Sequence, residues 1–156
     1  MAKDRLAEDR RVSMSVQNIL DRKGADVFTI EPSATIRTAA HLMRARGIAA
    51  LVVKSGDVIS GLISEREVVH AVAQHGDRAL TMAVLDVMTR SLIAVTPDDT
   101  LRRAMTLMTN HRVRHLIVIA NGHLAGLVSI GDVVKNRLED LEAESNVLRD
   151  AYIAAH

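Results

Sequence analysis

The stretch Pro32-Ser33-Ala34-Thr35-Ile36-Arg37-Thr38-Ala39-Ala40-His41-Leu42-Met43 returns 65 residues further on as Pro97-Asp98-Asp99-Thr100-Leu101-Arg102-Arg103-Ala104-Met105-Thr106-Leu107-Met108. On both sides of this stretch the match continues: Val27–His70 lies over Leu92–Lys135 without a gap, and 13 of the 44 paired positions are identical. Beyond the quoted stretch the identities include Leu51/Leu116, Val53/Val118, Gly61/Gly126, Ser64/Ser129 and Val68/Val133. Many of the remaining pairs are apolar exchanges such as Ile30/Val95 and Ile63/Val128. An internal period is read before any local motif because it decides the architecture. Two copies of one unit usually pack about a pseudo-two-fold axis, which creates related clefts between them. The repeat therefore points to a paired binding module and away from a single catalytic pocket.

Within each copy the residue pattern predicts β-α-β-β-α. Val27–Ile30 reads as a short strand closed by Pro32, which cannot continue a ladder. A helix over Thr35–Arg46 follows, with Ile36, Ala39, Ala40 and Met43 on one face, matched by Leu101, Ala104, Met105 and Met108. Two apolar strands come next, Ile48–Val53 and Val58–Ile63, matched by Val113–Ile119 and His123–Val128. The second pair is joined through Asn121-Gly122, a strong hairpin signal. Helices Glu65–Gln74 and Ile130 onward close the copies. Ser15–Arg22 is a short amphipathic segment leading into the first copy, and Leu85-Asp86 repeats its Leu20-Asp21. The reading is an α/β (α+β) chain of two repeats about a pseudo-two-fold axis. It divides into a mobile segment 1–14, a first repeat 15–78, a second repeat 79–138 and a C-terminal helical extension 139–156.

Composition excludes several functions. The 156 residues carry a net charge of +1, contain no cysteine, and have Phe28 and Tyr152 as their only aromatics. No Lys/Arg run exceeds two residues, whereas nucleic-acid modules concentrate positive charge or supply stacking rings, so no nucleic-acid partner is expected. Disulfides, thiol nucleophiles and thiolate metal sites are excluded with the cysteines. Nothing approaches the 18 uninterrupted apolar residues of a membrane span, and Met1–Arg11 lacks the apolar core of a signal peptide. A cytoplasmic protein without a membrane partner is expected. Walker, nucleophile-elbow and dinucleotide motifs are absent, so no catalytic residues are assigned. His111 and His115 stand four apart, but the repeat puts His115 at a strand, which breaks helical metal-ligand spacing; no metal site is expected.

The last helix outgrows its counterpart. Val134, Leu138, Leu141, Ser145, Leu148 and Tyr152 alternate steps of four and three, the spacing of a heptad seam. It suits either an amphipathic helix lying on its own domain or self-association, and a homodimer is expected.

The segments Val84-Leu85-Asp86-Val87-Met88-Thr89, Val95-Thr96-Pro97-Asp98-Asp99-Thr100, Gly126-Leu127-Val128-Ser129 and Gly131-Asp132-Val133-Val134, in this order and echoed in the first copy, resemble the CBS domain. In tandem such domains form the Bateman module, and the closest likeness is to small bacterial proteins made of one such pair. The resemblance implies adenosine-nucleotide sensing in clefts between the repeats and often a dimer of pairs. AMP, ADP or ATP would be the ligand rather than a resident cofactor; NAD(H) stays open, and S-adenosylmethionine ranks last because it has no phosphate. An unidentified protein partner would be regulated. The rival is a ligand-free dimerisation or protein-interaction module.

In the family a Ser/Thr-x-x-Asp motif holds the ribose, and Ser129 and Asp132 match it. The first copy has Ser64 and Glu67, one methylene too long, which also reads as a capping box. Base walls would come from Thr29, Ile30, Val95 and Thr96, and from Ile48, Ala49 and Ala50 at the start of the next strand. Where the first copy has these small apolar residues, the second has Arg112, Arg114 and His115. The resemblance puts that stretch at the cleft, and the planar fork of Arg suits phosphate. Arg66 is a further phosphate candidate. The asymmetry predicts one well-formed phosphate pocket rather than two equal ones.

Overall fold

A computed structural model of the chain describes residues 14–155; all but the last residue of the segment expected to be mobile lies outside the described residues. The described chain forms two compact units. One is 26–93; the other joins the described residues before 26 to those after 93.

In the first unit, β1 (Thr29–Ile30) pairs in parallel with β2 (Ala50–Ser55), which pairs antiparallel with β3 (Val58–Ser64). Between β1 and β2 runs α2 (Ile36–Arg46), with Thr35 as its N-cap accepting the Thr38 N–H at 3.2 Å. It ends on Gly47 in the left-handed region. The Ile48 N–H still closes on the Met43 carbonyl at 3.0 Å, so the strand begins at Ala50, two residues later than its apolar run. A register shift after Val53 lets β2 pair on through Ser55. Helix α3 (Glu65–His75) and a 3₁₀ segment (Gly76–Thr81) follow, then the single turn α4 (Val84–Val87). Val84 and Met88 join Ile30, Ala39, Met43, Leu51, Val53 and Ile63 in the core. Leu51, Val52 and Val53 are all fully buried, so both faces of β2 are covered, as its unbroken apolar run predicts.

The second unit repeats this order with β4 (Ala94–Val95), α5 (Leu101–His111), β5 (His115–Ala120), β6 (His123–Ser129) and α6 (Ile130–Ala154). The registers correspond residue for residue: Thr29↔Val52 becomes Ala94↔Ile117, and Ala50↔Ser64 becomes His115↔Ser129. Arg112 takes the left-handed cap position that Gly47 holds in the first copy, at φ 53°. Helix α1 (Val16–Lys23) packs here, against β6 and α6, with Val16, Ile19 and Leu20 buried. The sequence repeat and the compact unit are thus different sets of residues. The opening segment of the first repeat, α1, belongs to the unit of the second, and α4 belongs to the unit of the first.

Matched glycines make this packing close. A Cβ on Gly61 would stand 2.6 Å from the Thr89 carbonyl oxygen, and one on Gly126 2.6 Å from a methyl of Leu20.

Candidate functional site

The start of α6 is a reciprocal cap. Ser129 Oγ accepts the Asp132 N–H at 3.2 Å, and Asp132 Oδ2 accepts the Ser129 N–H at 2.8 Å. Lys23, at the end of α1, donates to the same Oδ2 at 2.7 Å and to the Leu127 carbonyl at 2.8 Å. Partial burial pushes the Asp132 pKa up, but the Lys23 hydrogen bond, the Ser129 N–H, the Lys23 charge and the Ser129 hydroxyl together outweigh it. The carboxyl is therefore held below the ordinary carboxylate range and is charged at neutral pH.

The basic stretch reaches this end through the backbone. The Ile130 N–H donates to the Arg114 carbonyl at 2.8 Å, and His115 stands opposite Ser129 in the β5–β6 ladder. Arg112 and Arg114 are exposed, while His115, Ser129 and Asp132 are half-buried. An ionised carboxylate and a hydroxyl thus come from the start of α6, and two guanidinium groups from the segment that leads from the cap of α5 into β5. Such a set can accept from a diol and donate to an anion.

In the first unit Ala49 and Ala50 meet Ser64 in the same way, through the Glu65 N–H to the Ala49 carbonyl at 3.0 Å and the Ala50↔Ser64 pair. The Glu67 carboxylate folds back onto the Ser64 N–H at 2.8 Å and the Ser64 hydroxyl, and takes the Thr89 hydroxyl on its other oxygen at 3.1 Å. All three donors belong to its own unit. Arg66 is exposed on the first turn of α3, and Ile48 is half-buried beside Ala49.

The base-wall residues divide. Ile30, Ala50 and Val95 are buried and Thr29 is exposed. Thr96 lies past the end of β4, its N–H taken by Asp99 at 2.8 Å. Because Val95 stands opposite Val118, Thr96 is about 13 Å along the strands from His115, and the structure does not bring it to the Ser129 end. Lys23 and Thr89 are partners that sequence reasoning missed. Lys23 lies outside the repeating stretch, and Thr89 was legible only as part of Val87-Met88-Thr89. His111 closes α5 and His115 opens β5, and among the described residues no three His, Asp or Glu side chains gather as a metal site requires.

The CBS domain profile matches residues 16–74 and 84–139. The chain belongs to the CBS domain family. It is similar to the crystal structure of the CBS-domain containing protein ATU1752 from Agrobacterium tumefaciens, at 42% identity and a TM-score of 0.78, over 81% of this chain and 95% of that one. It is 28% identical over 130 residues to the CBS domain-containing protein YhcV of Bacillus subtilis, covering 83% of this chain and 92% of the relative. The CBS domain protein PAE2072 from Pyrobaculum aerophilum, solved in complex with AMP, is 27% identical with a TM-score of 0.67, over 76% and 89% of the two chains. The two CBS domains form a regulatory module, in the mixed α/β fold that the repeat predicts.

Proposed function

We propose that this CBS pair binds an adenine nucleotide, AMP, ADP or ATP, through its second copy, and acts as a non-catalytic sensor for a protein partner. One observation carries the reading: Ser129 and Asp132 stand at the same sheet end as Arg114 and His115, with Arg112 two residues before Arg114. Asp132 is ionised and accepts on Oδ2. In this reading its other oxygen takes the ribose hydroxyls, and the arginines take phosphate. Arg112 keeps a side chain at a backbone position where the first copy uses glycine, a cost that a ligand contact offsets. The AMP complex of the related P. aerophilum protein supports the choice of ligand class. Glu67, tied to Ser64 and Thr89, makes the first copy the weaker site. Nucleotide binding biases the partner only as far as the two states differ in affinity for it.

The test is a thermal-melt panel with AMP, ADP, ATP, NADH and S-adenosylmethionine on nucleotide-free protein. A ligand at 100 times its Kd adds about 2.7 kcal/mol, which is about 5–10 °C for a chain of this size. Shifts with the phosphate-bearing adenosines, lost in folded Asp132→Ala by calorimetry, are the expected result. Unchanged affinity in that variant sinks the ribose assignment. A flat panel favours the ligand-free interaction module, to which the Lys23–Asp132 ion pair is suited because it gives the carboxylate a partner without a ligand.

A further inference from the structure

Helix α6 extends 25 residues, and among its described residues the buried ones lie in its first two turns. Val133 and Asn136 are buried, and Glu139 pairs with Arg22 of α1. Those residues lie on the face opposite Val134, Leu138, Leu141, Ser145, Leu148 and Tyr152. The five large apolar residues of that seam each expose 44–72% of their surface. The helix is therefore docked by its back, with the heptad seam turned outward for about 28 Å.

The residues beside the seam say what covers it. With Leu138, Ser145 and Tyr152 at the a positions and Val134, Leu141 and Leu148 at the d positions, Lys135, Glu142 and Arg149 fall at e, and Arg137 and Glu144 at g. In a parallel in-register pair each g residue faces the partner's e residue five positions on. That sets Arg137 against the partner's Glu142 and Glu144 against the partner's Arg149, opposite in sign at every crossing. The antiparallel pairing that keeps all six seam layers brings e to e and g to g. It sets Lys135 against the partner's Arg149, Glu142 against the partner's Glu142 and Glu144 against the partner's Glu144, all like-charged. We infer that the seam is covered by α6 of a second copy of this chain, in a parallel, in-register coiled coil. The inference does not depend on nucleotide binding.

The chain has no cysteine, so single replacements report cleanly on proximity. Leu141→Cys and Leu148→Cys, made separately in the full chain, are oxidised mildly and run without reductant. Both cross-link to dimers if the pair is parallel and in register, because each position then meets itself. An antiparallel pair has one two-fold point along its length, so at most one position cross-links. Sedimentation of Glu144→Arg gives a dimer Kd weakened on the order of tenfold, and adding Arg149→Glu restores it. A monomeric wild-type chain, cross-linking at one position or neither, or a double variant as weak as the single overturns the inference.

Discussion

Arg112 and Gly47 occupy matched positions with nearly the same backbone, φ 53° and 62°, yet only one of them lacks a Cβ. The left-handed conformation costs a residue with a Cβ about 1 kcal/mol. Arg112→Gly should therefore stabilise the fold by about that amount, read as a higher urea midpoint with an unchanged slope. No gain would mean that the arginine side chain compensates for the strain. Asp132 supplies a second test. Its pKa is lowered on folding, so it adds stability above the ordinary carboxylate range, and that stability disappears as pH falls through and below it. Asp132→Asn should cost about 1–2 kcal/mol at neutral pH, and the gap to wild type should close in acid. A gap independent of pH would show that the Lys23 pair does not set the carboxylate's energy.

The two sheets answer the same geometrical demand with different neighbours. At Gly61 the obstacle is a backbone carbonyl, Thr89 O, locked by the reciprocal Leu62–Thr89 hydrogen bonds at 2.9 Å. At Gly126 it is the end of the Leu20 side chain, which can rotate. Gly61→Ala should consequently cost about 3 kcal/mol and Gly126→Ala about 1, measured by denaturant unfolding. Equal costs would mean that α1 is held as rigidly as the Thr89 backbone. Element boundaries moved for a similar local reason. The backbone bonds Ile48 to Met43 and Val113 to Met108 keep two residues of each apolar run in the helix cap, so the strands start at Ala50 and His115.

Across the whole chain the units are not the repeats. Helix α1 opens the first repeat but completes the core of the unit that holds the second, through Val16, Ile19 and Leu20. Ile19→Ala should cost about 3 kcal/mol, and hydrogen exchange should lose protection first in β4–β6 while β1–β3 keep theirs. Loss of protection in β1–β3 first would contradict this assignment of α1.

The repeat, the β-α-β-β-α order, the hairpin at Asn121-Gly122, the heptad seam and the CBS resemblance were all present in the sequence. Each is a local pattern of neighbouring residues or the recurrence of such a pattern at a fixed spacing. The pairing of Lys23 with Asp132, the tie between Glu67 and Thr89, and the unit against which α1 packs were decided by tertiary structure. An eight-residue amphipathic helix shows the same apolar face whichever core it covers. A lysine carries no local sign of a carboxylate 109 positions away. Such pairings are long-range packing, and only the closed fold brings their partners within hydrogen-bonding reach.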